Sequence, residues 1–113
     1  MKRIDLIIHH ERLHEVSELR NHNVGGLTYY DVKGRGRAEN EPIAVGIGVM
    51  RYIPELISRM KIGVLVPDPV AKSIIDDVLK HVSTGSASDG KILVYDFAEA
   101  YDIGSKQTRD NAI

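Results

Sequence analysis

A run in which every second residue is apolar, Met60, Ile62, Val64 and Val66, is stopped by Pro67-Asp68-Pro69. Apolar residues at helical spacing follow at once: Val70, Ile74, Ile75, Val78, Leu79 and Val82. The period changes from two to about 3.6, so a strand buried on one face must hand over to an amphipathic helix through a turn belonging to neither. After that helix, the apolar run 91–98 reads as another strand. The first half of the chain repeats the order. Ile4, Leu6, Ile7 and Ile8 predict a short strand, and Leu13, Val16 and Leu19 form the buried stripe of a helix over about residues 11–22, ended by Asn23 and Gly25-Gly26. Residues 27–33 alternate and carry Tyr29, Tyr30 and Val32, which suits a second strand.

Two strand-helix-strand halves of this kind, with helices on one face of a four-stranded antiparallel sheet, make a ferredoxin-like α+β fold, βαββαβ. No linker divides the chain, so residues 1–113 read as one domain. Leu65, Leu93, Tyr95 and Phe97 fall on the face opposite Ile62, Val64, Ile92 and Val94. A monomer is therefore expected to expose a substantial apolar patch, and self-association is the simplest cover.

Composition narrows the function. Lys+Arg 15 against Asp+Glu 16 leaves no general basic surface for nucleic acid. With no cysteine, disulfides, thiolate catalysis and cysteine zinc sites are excluded. The N-terminal apolar run stops at Ile8 before His9 and His10, unlike a signal peptide. No segment approaches the roughly 20 apolar residues of a membrane span, so a soluble cytoplasmic protein is expected, with no direct membrane insertion.

Thr84-Gly85-Ser86-Ala87-Ser88-Asp89-Gly90-Lys91 supplies glycines, small hydroxyl residues and a lysine just before a strand. The spacing from Gly85 to Lys91 matches the start of a Walker A motif, but Ile92 replaces the magnesium-binding hydroxyl, and the loop joins helix to strand rather than strand to helix. P-loop chemistry is thus disfavoured. The backbone N–H groups of a Gly-rich turn still form an anion concavity, and Lys91 adds a positive charge. A plain helix-to-strand loop with a solvated lysine is the alternative.

Taken together, these residues resemble the PII family of nitrogen-regulatory signal-transduction proteins. The resemblance spans the whole chain: Met1-Lys2-Arg3-Ile4-Asp5 with Ile7-Ile8, Asp31-Val32-Lys33-Gly34-Arg35-Gly36-Arg37, Lys61-Ile62, Val66-Pro67-Asp68, Thr84-Gly85, Asp89-Gly90-Lys91-Ile92 and Ala112-Ile113. It implies a homotrimer without catalytic residues, sensing ATP or ADP in clefts between subunits. It also implies a T-loop at about 35–54 that docks onto a transporter or metabolic enzyme, a B-loop at about 84–91 and a C-terminal segment at about 99–113. Gly34, Gly36 and Arg37 are expected at the T-loop base beside the phosphates. Gly85, Ser88, Asp89, Gly90 and Lys91 are expected in the B-loop around them, with Lys91 as the main cation. Ile7, Thr28, Gly63 and Leu65 are expected near the adenine; core packing competes with that role for Ile7 and Leu65 and is the primary one for Ile7.

Departures from the family pattern modify this expectation. Ala38 stands where nitrogen-sensing members carry a Gln that helps bind magnesium and 2-oxoglutarate, and Arg59 replaces a Lys that contacts 2-oxoglutarate. Asp102 and Gly104 replace two arginines that reach the phosphates across the subunit boundary. Triphosphate binding should suffer, making ADP, AMP or another anion more plausible, with magnesium left open; Lys106 or Arg109 is the available substitute cation. The T-loop lacks the usual modification pattern, and Tyr52 reads as a packing or partner contact. Ile43, Val45, Ile47 and Met50 give the loop an apolar centre suited to a partner. Alternatively, 45–49 forms an extra strand or folds against a neighbouring subunit.

His10-Glu11-Arg12-Leu13-His14 matches the HExxH zinc signature, with Glu11 as general base. Helical geometry opposes it: Leu13, Val16 and Leu19 define the buried face and His14 points away, in the family's variable first helix. Three readings therefore stand: a nucleotide-responsive regulator, a binding module on the same fold that has lost ATP sensing, and a small metalloenzyme.

Overall fold

A computed structural model describes residues 1–17, 24–36 and 56–113 and, as backbone, 43–44 and 51–52. Strand β1 (Lys2–Ile8) leads through a 3-10 turn (His10–Arg12) into α1 (Leu13–Ser17). Strand β2 (Leu27–Gly34) and the short β3 (Ile43–Ala44) and β4 (Arg51–Tyr52) follow. Then come β5 (Ile57–Val66), α2 (Asp68–Val82), β6 (Gly90–Asp96) and a closing 3-10 turn (Arg109–Ala112). The main sheet has the antiparallel order β2-β5-β1-β6, and β3 pairs with β4 separately. The ferredoxin-like arrangement read from the sequence is the observed one. The first helix differs at its start: residues 10–12 form the tighter 3-10 turn, and α1 begins at Leu13. Leu19 and the predicted end of that helix lie outside the described residues.

Strand alternation builds the core. Ile4, Leu6 and Ile8 of β1 lie beside Val64, Ile62 and Met60 of β5, and all are buried against α1 and α2. Pro67 is the extended residue before α2, its carbonyl accepting from Val70 N–H at 3.0 Å, and Pro69 falls in the first turn, where proline's missing N–H costs nothing. The buried stripe of α2 is Ala71, Ile74, Val78 and Val82. Leu79, expected on it, is 55% exposed. At 100° per residue, positions 75 and 79 stand to one side of the line through 71, 74, 78 and 82, so Ile75 packs only partly and Leu79 faces water.

The face away from the helices is not the simple apolar patch expected. It carries Leu65, Leu93 and Tyr95, the last two 39% and 43% exposed, but a charged line crosses it. Asp5 is only 1% exposed; its carboxylate accepts from Arg3 Nε at 3.0 Å and lies 3.7 Å from Lys61 Nζ. Arg3 stacks over Tyr95 and Lys61 over Tyr30, at 5.8 and 5.9 Å. A Cβ on Gly63 would meet Asp5 Oδ1 at 3.2 Å, so glycine gives that carboxylate its room. Ile7 also belongs to this face, half-buried between Lys61 and Lys91, and not to the core as expected; period two sends it opposite Leu6 and Ile8. Val94 shares the helix-side face but lies on the edge strand β6 and is largely exposed.

Leu6 is fully buried at the centre of the sheet. Leu6→Ala is expected to lower unfolding stability by about 2–5 kcal/mol, measured by urea denaturation with an unchanged native circular dichroism spectrum.

Candidate functional site

The predicted effector residues fall into two groups set by strand register. Gly90 pairs with Ile8 and Lys91 with Ile7, so the B-loop enters the sheet at the end of β1. Gly34 pairs with Ile57 toward the same end, which puts the roots of the T-loop and the B-loop at one end of the molecule. Thr28 and Gly63 pair on β2 and β5, and with Leu65 they line a cavity of about 470 Å³ together with Arg3, Tyr30, Phe97 and Ile113. Strands lie about 4.8 Å apart, so β2 and β6 are separated across the sheet by roughly 14 Å. Thr28 on β2 is thus set apart from Lys91 on β6, while Gly63 and Leu65 lie between them on β5, Gly63 opposite Asp5 two residues from Ile7.

The B-loop is organised by its own side chains. The Asp89 carboxylate accepts from Thr84 N–H and from Thr84 Oγ1, each at 2.6 Å, with further support from the amides of Ser86 and Gly85. The hydrogen bond from the Thr84 hydroxyl, then these backbone amides, hold the Asp89 pKa below the ordinary carboxylate range. The sequence suggested that the amides of this turn would cradle a ligand anion; here the chain's own carboxylate sits among them. Ser86 Oγ and Ser88 Oγ are 2.9 Å apart, and Ser88 N–H donates to Ser86 Oγ. Gly85 has φ +84° with open space around it, whereas Gly90 has φ +134° and a Cβ there would fall 2.0 Å from the Ile7 carbonyl oxygen. Lys91 Nζ makes no hydrogen bond or ion pair among the described residues.

The C-terminal segment closes on itself. Tyr101 bridges to Thr108, and Asp102 accepts from Ser105 N–H at 2.8 Å and Ser105 Oγ at 2.6 Å. The Ser105 hydroxyl bond, then the Ser105 amide, hold the Asp102 carboxyl below its usual range. Asp102 therefore caps a turn. Lys106 and Arg109 adopt left-handed backbone, at φ 63° and 54°. Of the expected partner surface, Ile43 pairs with Tyr52 between β3 and β4; Val45, Ile47 and Met50 lie outside the described residues, as do Arg37 and Ala38. Gly36 is described and follows β2.

His10 and His14 of the HExxH run sit in different elements. His10 lies in the 3-10 turn, with Nε2 3.1 Å from Ser58 Oγ and Nδ1 3.5 Å from Asp31 Oδ1, while His14 is exposed on α1. His9 Nε2 lies 2.8 Å from the Ser88 carbonyl oxygen and so donates to it. Sequence reasoning missed both contacts, because nothing in a sequence shows that the end of β1 meets a loop some 80 residues later; the only signal was two consecutive imidazoles where an apolar run stops.

The topology and the paired loops define a ferredoxin-like α+β protein, and the B. subtilis GlnK structure shares that fold, with a TM-score of 0.77 over 99% of this chain and 97% of that one at 21% identity. The family model for Nitrogen regulatory protein P-II matches residues 1–107. The chain is 33% identical to Nitrogen regulatory protein P-II 1 of Escherichia coli strain K12 and 30% identical to Nitrogen regulatory protein P-II of Haemophilus influenzae, each over the full length of both chains. The chain belongs to the P-II family of nitrogen regulatory signal-transduction proteins.

Gly90→Ala is expected to cost about 3 kcal/mol or more, because backbone must move to admit the methyl group; the melting temperature reports it. The lowered Asp89 pKa sets a sign for pH: the carboxylate's support of the loop is complete above the ordinary carboxylate range and is lost as pH falls through the depressed value. The Thr84 amide resonance should move with a midpoint below the ordinary aspartate pKa. A shift centred at an ordinary aspartate pKa would contradict the hydrogen bonding described.

Proposed function

We propose that this chain is an adenine-nucleotide-responsive regulator whose effector site is completed between copies in a homotrimer and whose output is the T-loop. The observation that carries this reading is the convergence at one end of the sheet of Lys91, Ile7 and the Gly85–Gly90 turn with Gly34 and Gly36 at the T-loop root. Lys91 has no anionic partner among the described residues, so a phosphate gains a charge-assisted hydrogen bond without displacing an ion pair. Thr28, Gly63 and Leu65 line an apolar-walled cavity suited to a planar base, but in the same chain Thr28 stands across the sheet from Lys91. One ligand touching both is therefore supplied by two copies. The open face, with Leu93 and Tyr95 exposed beside the Arg3–Asp5–Lys61 line, offers the apolar area and fixed charges for such packing.

The effector is ATP or ADP, with AMP as a further candidate. Ala38 has no polar atom for magnesium or 2-oxoglutarate, and Asp102 is occupied by Ser105, so neither strong 2-oxoglutarate sensing nor an arginine clamp on a triphosphate belongs to the reading. On this reading Arg37 links the nucleotide to the T-loop, and Ile43, Val45, Ile47, Met50 and Tyr52 contact a transporter or metabolic enzyme. A ligand shifts the loop only through differential affinity for its arrangements, and phosphate beside the loop root supplies that difference.

Light scattering is expected to give three times the chain mass, and calorimetry to detect ADP or ATP binding that Lys91→Ala weakens by about 1.5–3 kcal/mol. A stable monomer at micromolar concentration contradicts the assembly. Absence of any nucleotide heat, with partner capture independent of nucleotide, supports instead a binding module that has lost ATP sensing, the reading that Asp102 and Gly104 favour.

A further inference from the structure

Adjacent residues His9 and His10 touch the B-loop and the two strands that flank the T-loop. His9 donates Nε2–H to the Ser88 carbonyl in the B-loop. His10 meets Ser58 at the start of β5 and Asp31 in the second half of β2, the two strands that lead out of and into the T-loop. His10 Nε2 shares a hydrogen bond with the Ser58 hydroxyl at 3.1 Å, while Nδ1 faces Asp31 Oδ1 at 3.5 Å, an approach longer than an ordinary hydrogen bond. The turn carrying the pair is braced, since Arg12 N–H donates to the His9 carbonyl at 3.0 Å. Ser88 is braced too, through Ser86 and the Asp89–Thr84 bonds, so a force on its carbonyl moves the B-loop as a unit.

We propose that His9-His10 is a coupler of positioning residues that ties the B-loop's conformation to the roots of the T-loop. No other contact described here joins Ser88 to Asp31 and Ser58 through two consecutive residues. Coupling of this kind needs only that each loop has alternative arrangements and that the shared turn cannot satisfy both independently. The inference rests on the effector-site reading for its physiological meaning: an anion that shifts the B-loop would change how readily the T-loop rearranges, even where it does not touch that loop.

Amide hydrogen exchange on the full-length protein without nucleotide tests the coupler directly. His9→Ala is expected to speed exchange roughly three- to tenfold at 84–90, its own contact, and also measurably at 30–33 and 57–59; His10→Ala should produce the reverse pattern. His9→Phe, measured beside His9→Ala, keeps the ring's bulk while deleting the donor, and His9→Gln, which restores a side-chain N–H, should return exchange at both places toward the original rates. Acceleration confined to each histidine's own loop, or equal behaviour of His9→Phe and the unaltered chain, overturns the proposal. An ADP titration of the same proteins separates the two readings: no binding to the unaltered chain removes the effector assignment, while the exchange comparison still decides the coupling.

Discussion

Strand β1 is the element on which the rest depends. It pairs along its full length with β5 on one side and β6 on the other, and its alternation sends Ile4, Leu6 and Ile8 into the core while Arg3, Asp5 and Ile7 face the open side. A slip by one residue would turn Arg3 and Asp5 toward the helices and expose Ile4, Leu6 and Ile8, burying charge where the core is apolar. The close approach of Gly90 to the Ile7 carbonyl fixes the register with β6 from the other end. Because β1 holds both neighbours, the B-loop and the T-loop root are placed by the same constraint that builds the core.

Electrostatics in the loops are largely internal. Asp89 caps the turn before β6 and Asp102 caps the C-terminal hairpin, each holding its charge through local donors, above all a hydroxyl. Such caps order a short loop at the modest cost of fixing a few residues. The B-loop amides near Thr84 thus already serve Asp89, whereas Lys91 has no hydrogen bond or ion pair among the described residues. The C-terminal hairpin carries a carboxylate and a glycine at positions 102 and 104, so any cation it presents comes from Lys106 or Arg109, both held in left-handed backbone.

The open face combines apolar side chains with a fixed line of charge. Asp5 is buried there without a core around it, because Arg3 and Lys61 fold over it and two tyrosines cover the cations. Arg3 gains from the hydrogen bond to Asp5, which raises its pKa further above its ordinary value. A surface of this composition is better suited to packing in a defined orientation than a uniform greasy patch, since a misaligned partner would leave charges unpaired.

Much of this was written in the order of residues. The switch from period two to helical period at Pro67 determined β5 and α2, and the repeated pattern determined the ferredoxin-like topology, because burial on one face leaves few alternatives. The motifs from Met1-Lys2-Arg3-Ile4-Asp5 to Ala112-Ile113 also pointed to the family. Period two already sets Ile7 opposite Leu6 and Ile8, and the helical angle sets Leu79 aside from Ala71, Ile74, Val78 and Val82, but local spacing could not tell that residues 10–12 tighten into a 3-10 turn. Nor could it show that Asp5 is buried beneath Arg3 and Lys61, that Asp89 accepts from Thr84 within its own loop, or that His9 and His10 reach Ser88, Ser58 and Asp31. Periodicity is a property of one segment and survives in the sequence; hydrogen bonds between distant segments exist only once the chain has folded, and tertiary structure alone decided them.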